Sequence, residues 1–407
     1  MPLTIAVLKE TALGEARAAA TPDTIKKYIA MGAAVQVQAG AGIRAAITDD
    51  AFTDAGATIV RDAHAAVKGA GVVLCVQRPD ADTLERLQKG AILVGMLGPY
   101  QFTDALPRFE RTGASAIALE FVPRITRAQS MDVLSSQANL AGYRAVIEGA
   151  HTFGRAFPMM MTAAGTVAPA KVFVMGAGVA GLQAIATARR LGAVVSATDV
   201  RAASREQVQS LGASFVMVEN EETRQAETAG GYAKEMSDDY KRQQAALIAD
   251  TIKKQDIVIT TALIPGRPAP VLVTEEMVKS MKTGSVIVDL AVDAGGNCPL
   301  SEAHKIVEKH GVTIIGHGNM ASRIPVDASA LYAKNVLNIL TLMFDKEKKD
   351  FAFNFEDEII KGVTLVHDGK PVHATLASGK KTTGTAAPVA PQEPKSSFKR
   401  KADKKEA

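Results

Sequence analysis

Residues Lys171–Gly181 read KVFVMGAGVAG, and the fold can be argued outward from them. A short apolar run leads into Gly176-x-Gly178-x-x-Gly181, and a helix-like stretch follows to about Leu191. In such a turn the first glycine permits a tight bend and the second lets backbone N–H groups approach a pyrophosphate. The third allows the helix to pack closely on the strand, and the helix N-terminus favours an anion. We therefore predict a dinucleotide-binding strand–turn–helix unit.

The next apolar run indicates which dinucleotide this unit would bind. It reads VVSATD and ends in Asp199, where a carboxylate can accept hydrogen bonds from the adenosine ribose diol and disfavours a 2′-phosphate. Arg201 could in principle neutralise a 2′-phosphate, although an arginine in this place is more often a solvated flank. The pattern predicts NAD rather than NADP. The alternative is a glycine turn in a Rossmann-like fold that has lost its cofactor.

Short apolar runs alternate with helix-like stretches on both sides of this unit. Predicted strands are Thr4–Leu8, Ala34–Gln38, Val72–Val76, Ile92–Met96 and Ser115–Leu119, then Lys171–Met175, Val194–Thr198, Phe215–Val218, Ile257–Thr261, Val286–Leu290 and Thr313–Gly316. Strands separated by helices of this length form right-handed βαβ units and parallel sheets. The predicted fold class is α/β, with two doubly wound Rossmann-like domains and an interdomain cleft.

The helical patterns suggest where the domains divide. Asn139–Phe157 is predicted as a connecting helix, and Ala328–Phe344 as a late helix that returns to the first domain. The expected division is a first domain of residues 1–137 plus 320–378 and an NAD-binding domain of residues 138–319. Residues 379–407 are expected to form a disordered basic tail.

Composition narrows the function classes. The net charge is +4, but residues 380–407 hold eight Lys/Arg against three Asp/Glu, so the rest of the chain is close to neutral and no nucleic-acid partner is expected. Two distant cysteines support neither a disulfide framework nor a clustered metal site. No apolar run reaches the roughly 18 residues of a membrane span. We expect a cytoplasmic protein with no direct membrane insertion.

Several long stretches resemble a known family. The chain is similar, over roughly residues 3–378, to the NAD(H)-binding α1 subunit (domain I) of proton-translocating NAD(P)+ transhydrogenase. The matching stretches include PRITRAQSMDVLSSQANLAGYRAV (Pro123–Val146), PMMMTAAGTV (Pro158–Val167), AETAGGYAKEM (Ala226–Met236), TTALIPGRPAP (Thr260–Pro270) and DLAVDAGGN (Asp289–Asn297). The resemblance implies an enzyme that transfers hydride directly between NAD(H) and NADP(H) held by a partner subunit.

The resemblance also implies roles for single residues. Arg124, Asp132 and Ser135 would hold the nicotinamide, Gln129 would reach towards the partner's NADP(H), and Tyr232 would close a mobile loop over the nucleotide. The implied NAD(H)-binding residues are Gly176, Gly178, Val179, Ala180, Gly181, Asp199, Val200, Arg201, Gly231, Thr261, Ala262 and Leu263. From spacing alone, Arg124 and Asp132 could instead form a structural ion pair, and the loop around Tyr232 could be a surface insertion.

The partners follow from the same resemblance. The family's complete enzyme also has a membrane-spanning part and an NADP(H)-binding part, so both are expected as partner subunits that hold this chain at the inner face of the cytoplasmic membrane. A homodimer is expected.

The rival interpretation is an alanine-dehydrogenase-like amino-acid dehydrogenase, because that family shares the fold. Its substrate-binding lysine is replaced here by Gln77, and Gly98 lies near the place of its catalytic histidine, although the carboxylate-gripping Arg17 is retained. Reductive amination needs a cation that polarises the substrate and a group that moves protons. The two replacements disfavour this activity.

Overall fold

The computed structural model describes residues 3–219 and 237–377. The strands are β1 (Thr4–Val7), β2 (Ala34–Gln38), β3 (Thr58–Val60), β4 (Val72–Gln77), β5 (Ile92–Met96), β6 (Ser115–Ala118), β7 (Met160–Thr162), β8 (Gly165–Val167), β9 (Lys171–Met175), β10 (Val194–Thr198), β11 (Ser214–Phe215), β12 (Ile257–Thr260), β13 (Val286–Asp289), β14 (Lys305–Lys309), β15 (Val312–Gly316), β16 (Phe344–Asp345), β17 (Asp350–Phe351), β18 (Thr364–His367) and β19 (Lys370–Pro371). The α-helices are α1 (Pro22–Ala30), α2 (Asp49–Asp54), α3 (Ala63–Val67), α4 (Ala81–Glu85), α5 (Leu106–Thr112), α6 (Val133–Thr152), α7 (Val179–Arg190), α8 (Ser204–Ser210), α9 (Asp238–Ile252), α10 (Glu275–Ser280), α11 (Pro325–Met343), α12 (Glu358–Val363) and α13 (Ala374–Ala377).

The first sheet has the strand order β3-β2-β1-β4-β5-β6-β18-β19. Strands β1 to β6 are parallel, whereas β18 and β19 extend the edge in antiparallel pairing. Side chains alternate between two apolar clusters, with Ile5 and Leu74 in one and Ala6 and Cys75 in the other. The strand order changes direction between β1 and β4, and this is the switch point at which α/β sheets bind ligands.

The second sheet repeats this plan in the order β11-β10-β9-β12-β13-β15-β14. Its strands are parallel except for β14, which pairs antiparallel with β15. Strands β12 and β13 are buried along their whole length because helices cover both faces of the sheet. The switch point lies between β9 and β12. The α/β fold with two large parallel sheets is thus confirmed.

The connecting helix α6 begins six residues earlier than predicted, at Val133 instead of Asn139, and ends at Thr152 instead of Phe157. Asp132 is its N-cap and accepts a hydrogen bond from the Ser135 backbone N–H at 3.0 Å. The polar stretch Ser135–Gln137 that follows Val133 and Leu134 interrupts the apolar period and hid the start of the helix. As a result, Asp132 and Ser135 lie at a helix N-terminus.

The late helix α11 packs against the first sheet, as the sequence predicted. Tyr332, Val336 and Leu340 belong to the same apolar cluster as Ile5. The exact domain boundaries stay a prediction. Within residues 3–219 and 237–377, no helix has the length and apolar character needed to cross a membrane.

The sequence prediction missed the weak edge strands and misplaced one. Strand β14 presents mostly exposed side chains, β3 has three residues, and β18 and β19 join the first sheet only through long-range antiparallel pairing. The run predicted at Phe215–Val218 forms a strand at Ser214–Phe215. Such strands are set by tertiary pairing more than by local pattern.

Candidate nucleotide site

Two glycines of the turn after β9 are required by packing. Gly176 has a φ of +109°, in the region that favours glycine, and a Cβ there would overlap the Thr261 Oγ1 atom. A Cβ at Gly181 would overlap the Gly176 carbonyl oxygen, so α7 can approach the turn only because this residue lacks a side chain. A Cβ at Gly142 of α6 would likewise overlap the Ala180 carbonyl oxygen. The helix that follows the turn is therefore packed closely from two sides.

Gly178 differs from the other glycines here because, apart from its own chain neighbours, no atom of the described residues lies within 4 Å of where its Cβ would be. It is the N-cap of the twelve-residue helix α7 and offers no capping side chain. The first N–H groups of a helix need an acceptor, and its dipole favours a negative charge there. Val179 is also partly exposed. The residues present fit a dinucleotide whose pyrophosphate lies against Gly178.

Asp199 closes the turn from the end of β10. Its carboxylate accepts hydrogen bonds from the Ala177 N–H at 2.7 Å and the Arg201 N–H at 2.9 Å, and forms an ion pair with the Arg201 guanidinium at 2.9 Å. Burial opposes ionisation, but the bonds from Arg201 and Ala177 outweigh it and lower the pKa of Asp199. The group is therefore a fixed anion at neutral pH. Val200, next to it, is one of the exposed apolar side chains of the domain.

The loop after β12 forms the other wall. Thr261 donates a hydrogen bond to the Gly176 carbonyl at 3.3 Å, while Ala262 exchanges two hydrogen bonds with the buried Asn297 side chain, at 3.1 and 2.9 Å. Leu263 is exposed beyond them. Sequence reasoning included Asn297 in a matching stretch but gave it no role. Asn297 holds this loop through a contact with Ala262, 35 residues away in sequence, and no local sequence pattern indicates such a contact.

This loop reaches the first domain. Gly266 has a φ of +70°, and a Cβ there would lie 2.6 Å from the Tyr100 ring. Tyr100 lies edge-on to Phe121 with ring centroids 5.5 Å apart, and Phe121 stacks on His373 with ring centroids 4.5 Å apart. Tyr100 follows β5 and Phe121 follows β6, so the carboxyl ends of both parallel sheets face the same cleft.

The segment before α6 lies beyond β6 at this edge of the first sheet. Arg124 and Gln129 are exposed, and in the described part of the chain neither side chain makes an ion pair or a hydrogen bond. The ion pair between Arg124 and Asp132 that spacing allowed is not formed. Asp132 instead accepts a short hydrogen bond from the Ser135 hydroxyl in addition to the backbone bond.

A different arginine holds this segment in place. Arg127 makes two hydrogen bonds to the Asp357 carboxylate, at 2.6 and 2.9 Å. Asp357 is the N-cap of α12, so the 3-10 helix Thr126–Met131 is tied to the return segment of the first domain. Sequence reasoning missed this pair because its members are 230 residues apart. Gly231 and Tyr232 lie outside the described residues.

Buried side chains fill the switch point of the first sheet. Arg17, 2% exposed, donates to both oxygens of Glu15 and, through Nη1, to Gln137 at 2.8 Å. Glu15 also accepts hydrogen bonds from Gln77, Asn319 and Ser322. We call Glu15, Arg17, Gln77, Gln137, Asn319 and Ser322 the Glu15 cluster. Because Asn319 and Ser322 follow β15 of the second sheet, the cluster ties the segment after that sheet to the switch point of the first sheet.

Two carboxyls here have opposite pKa shifts. Burial alone would raise the pKa of Glu15, but the hydrogen bonds and charge of Arg17 outweigh it and lower that pKa to about 2. Burial dominates at Glu10, which accepts hydrogen bonds from the Val76 and Gln77 N–H groups, and raises its pKa to about 7. All three nitrogens of the Arg17 guanidinium are engaged, so in this structure Arg17 offers no free face to a substrate carboxylate.

Comparison with known proteins places the chain in a family. Models of the alanine dehydrogenase/PNT N-terminal and C-terminal domains match residues 6–141 and 145–374. An NAD(P) transhydrogenase α subunit from Rhodospirillum rubrum is 56% identical over 377 residues, which are 91% of this chain and 98% of the relative. A transhydrogenase structure from Sinorhizobium meliloti is 52% identical, with a TM-score of 0.82 over 91% of this chain and 100% of that one.

The rival family is a more distant neighbour. An L-alanine dehydrogenase structure is 26% identical, with a TM-score of 0.77 over 92% of this chain and 98% of that one. The chain shares its fold with both families, but its sequence identity to the transhydrogenases is higher than its identity to the alanine dehydrogenase. This agrees with the transhydrogenase resemblance of the sequence motifs. The chain belongs to the alanine dehydrogenase/PNT family and, within it, to the NAD(P) transhydrogenase α subunits.

Proposed function

We propose that this chain is the NAD(H)-binding subunit of a proton-translocating transhydrogenase and passes hydride directly between NAD(H) and NADP(H) on a partner subunit. The observation that carries the proposal is the open glycine turn at the second switch point, where Gly178 faces open space beside the fixed anion Asp199. Such a site suits a pyrophosphate and an unphosphorylated adenosine ribose.

The nicotinamide is proposed to lie towards the segment before α6. When bound, the nicotinamide supplies a C4 atom that gives or takes hydride, so no proton moves at the reacting carbons. This chain's task is then to position the ring and exclude water. Arg124 and the Asp132–Ser135 pair would hold the ring, and Gln129, exposed and without a bond in the described residues, would face the partner's nucleotide. Tyr232 would close over the site.

The proposal includes the assembly. A membrane-spanning subunit and an NADP(H)-binding subunit would hold this chain at the inner face of the cytoplasmic membrane, and two copies would form a homodimer. Relatives named as subunit alpha support the existence of partner subunits. Proton translocation would belong to the partners.

An alanine-dehydrogenase-like activity is the second candidate, and the first domain argues against it. Gln77 and Gly98 replace the lysine and histidine that the reaction would use, and the Arg17 guanidinium is held by Glu15 and Gln137. The buried cation at this switch point is thus already paired and is not free to polarise a keto or imino group. We expect the purified chain not to oxidise NADH with pyruvate and ammonia.

The deciding experiment measures hydride transfer from NADH to a spectrally distinct NADP+ analogue, using the chain with and without a soluble NADP(H)-binding partner domain. Fast transfer only in the mixture supports the proposal. Gln129→Asn should slow transfer and leave NADH affinity unchanged, whereas the matched control Gln88→Asn, at an exposed glutamine beyond α4, should change neither. No transfer although each protein binds its own nucleotide would contradict the proposal.

A further inference from the structure

The Asp199 carboxylate is saturated with hydrogen bonds from its own chain, which leaves no acceptor position for a ribose. Oδ1 accepts from the Arg201 N–H and from Arg201 Nε, both at 2.9 Å. Oδ2 accepts from the Ala177 N–H at 2.7 Å and from Arg201 Nη2 at 3.1 Å. A carboxylate offers about four acceptor sites, and three of the four bonds come from Arg201.

A ribose diol can bond to Asp199 only if the Arg201 side chain moves away. The two partners differ in freedom, because the Asp199 side chain is 7% exposed and the Arg201 side chain is 43% exposed. Ala177 and the end of β10 fix the carboxylate, whereas the guanidinium can turn into solvent. Binding therefore displaces the arginine and leaves a cation next to the ribose 2′ position.

We propose that Arg201 is a masked receptor for a 2′-phosphate, and that its ion pair with Asp199 keeps it from binding the phosphate of 2′-phosphorylated dinucleotides. A guanidinium matches phosphate oxygens in geometry and charge. While Asp199 is present, a 2′-phosphate would meet its carboxylate and would compete with it for Arg201. This inference rests on the proposed nucleotide site.

The neighbouring cation does not share this role. Arg205 forms an ion pair with Glu219 at 2.7 Å and lies over the Phe215 ring at 5.7 Å. It is therefore engaged by partners other than Asp199 and provides a matched control.

The test measures NADH and NADPH binding by nucleotide fluorescence for the full chain and four variants. Asp199→Ser should weaken NADH about tenfold and tighten NADPH about tenfold, the size expected for charge-assisted hydrogen bonds. Adding Arg201→Ala to Asp199→Ser should abolish the NADPH gain, whereas adding Arg205→Ala should keep it. Arg201→Ala alone, at a side chain exposed enough to spare the fold, should tighten NADH several-fold and leave NADPH weak.

The outcomes separate this inference from the proposed function. If wild type binds NADH but Asp199→Ser gains no NADPH affinity, or the gain survives Arg201→Ala, the masked receptor is wrong and the NAD(H) site stands. If wild type binds no NADH, the proposed function fails as well. If Asp199→Ser does not fold, the single Arg201→Ala variant decides, because unchanged or weaker NADH binding would show that Arg201 does not compete with the ribose.

Discussion

The two sheets have the same strand order around their switch points and differ in what lies there. At the second, the chain turns directly from β9 into α7 through Gly176, Ala177 and Gly178, and Gly178 faces open space. At the first, the segment between β1 and α1 is long and carries Glu10, Glu15 and Arg17, which are all buried. The second switch point presents backbone N–H groups to open space, and the first is filled with side chains.

The comparison shows that strand order alone does not make a nucleotide site. An anion needs uncapped N–H groups and room for its atoms, which the glycine turn provides. The Glu15 cluster uses the corresponding place to satisfy buried charges and to bind the segment that follows β15, through Asn319 and Ser322. We infer that the first switch point is structural and the second binds ligand.

The largest expected change in the free energy of unfolding comes from a substitution at the first switch point. Arg17→Met should lower the free energy of unfolding by about 3–5 kcal/mol, because it leaves the Glu15 carboxylate buried without its cation. Arg61→Met, which removes an exposed ion pair with Asp62, is the control and should leave the free energy of unfolding nearly unchanged. Denaturant unfolding of both variants measures this, and equal losses would show that the buried Arg17–Glu15 pair stabilises the fold no more than a surface ion pair does.

Glu10 should change the free energy of unfolding somewhat less than Arg17 does. Its pKa is raised from 4.5 to about 7 in the folded chain, so the protonated form is favoured on folding. Stability from this group is complete below pH 4.5 and is lost as the pH rises through 7, by on the order of 3 kcal/mol. Glu10→Gln should flatten the profile of unfolding free energy across this window. A variant that kept the wild-type slope would show that another group titrates.

At the second switch point, Gly178→Val should weaken NADH binding about a hundredfold, or about 2.7 kcal/mol, because its side chain would fill the place of the pyrophosphate. The unfolding temperature should hardly change, since, apart from its own chain neighbours, no atom in the described part of the chain lies within 4 Å of the new Cβ. Gly154→Val, at a glycine with equally open surroundings after α6, is the matched control. Fluorescence titration with NADH checks both, and NADH binding that was unaffected by Gly178→Val would place the nucleotide elsewhere.

Prediction from sequence was accurate where the signal is local. Buried parallel strands such as β9 and β10 coincide with their predicted ranges, because continuous apolar runs between turns mark them. The glycine turn and Asp199 were found because their spacing within one βαβ unit is fixed by chemistry. The start of α6 was missed because the polar stretch Ser135–Gln137 interrupts the apolar period just after the helix begins at Val133.

The features that sequence could not provide depend on distant contacts. Glu15 meets Ser322 across 307 positions, and Ala262 meets Asn297 across 35. Arg201 could be seen as a possible phosphate partner, but its capture of the whole Asp199 carboxylate depends on side-chain geometry. Long-range pairing and rotamers decide these features, and neither leaves a periodic trace in the sequence.

A crystal structure of the full chain with NADH, together with the binding stoichiometry from calorimetry, would show at which switch point the nucleotide lies. We expect one nucleotide per chain, with its pyrophosphate against Gly178 and its adenosine ribose at Asp199. A nucleotide bound at the first switch point, beside Glu10 and Gln77, would contradict this expectation. It would show that the first switch point is not filled and that it binds ligand.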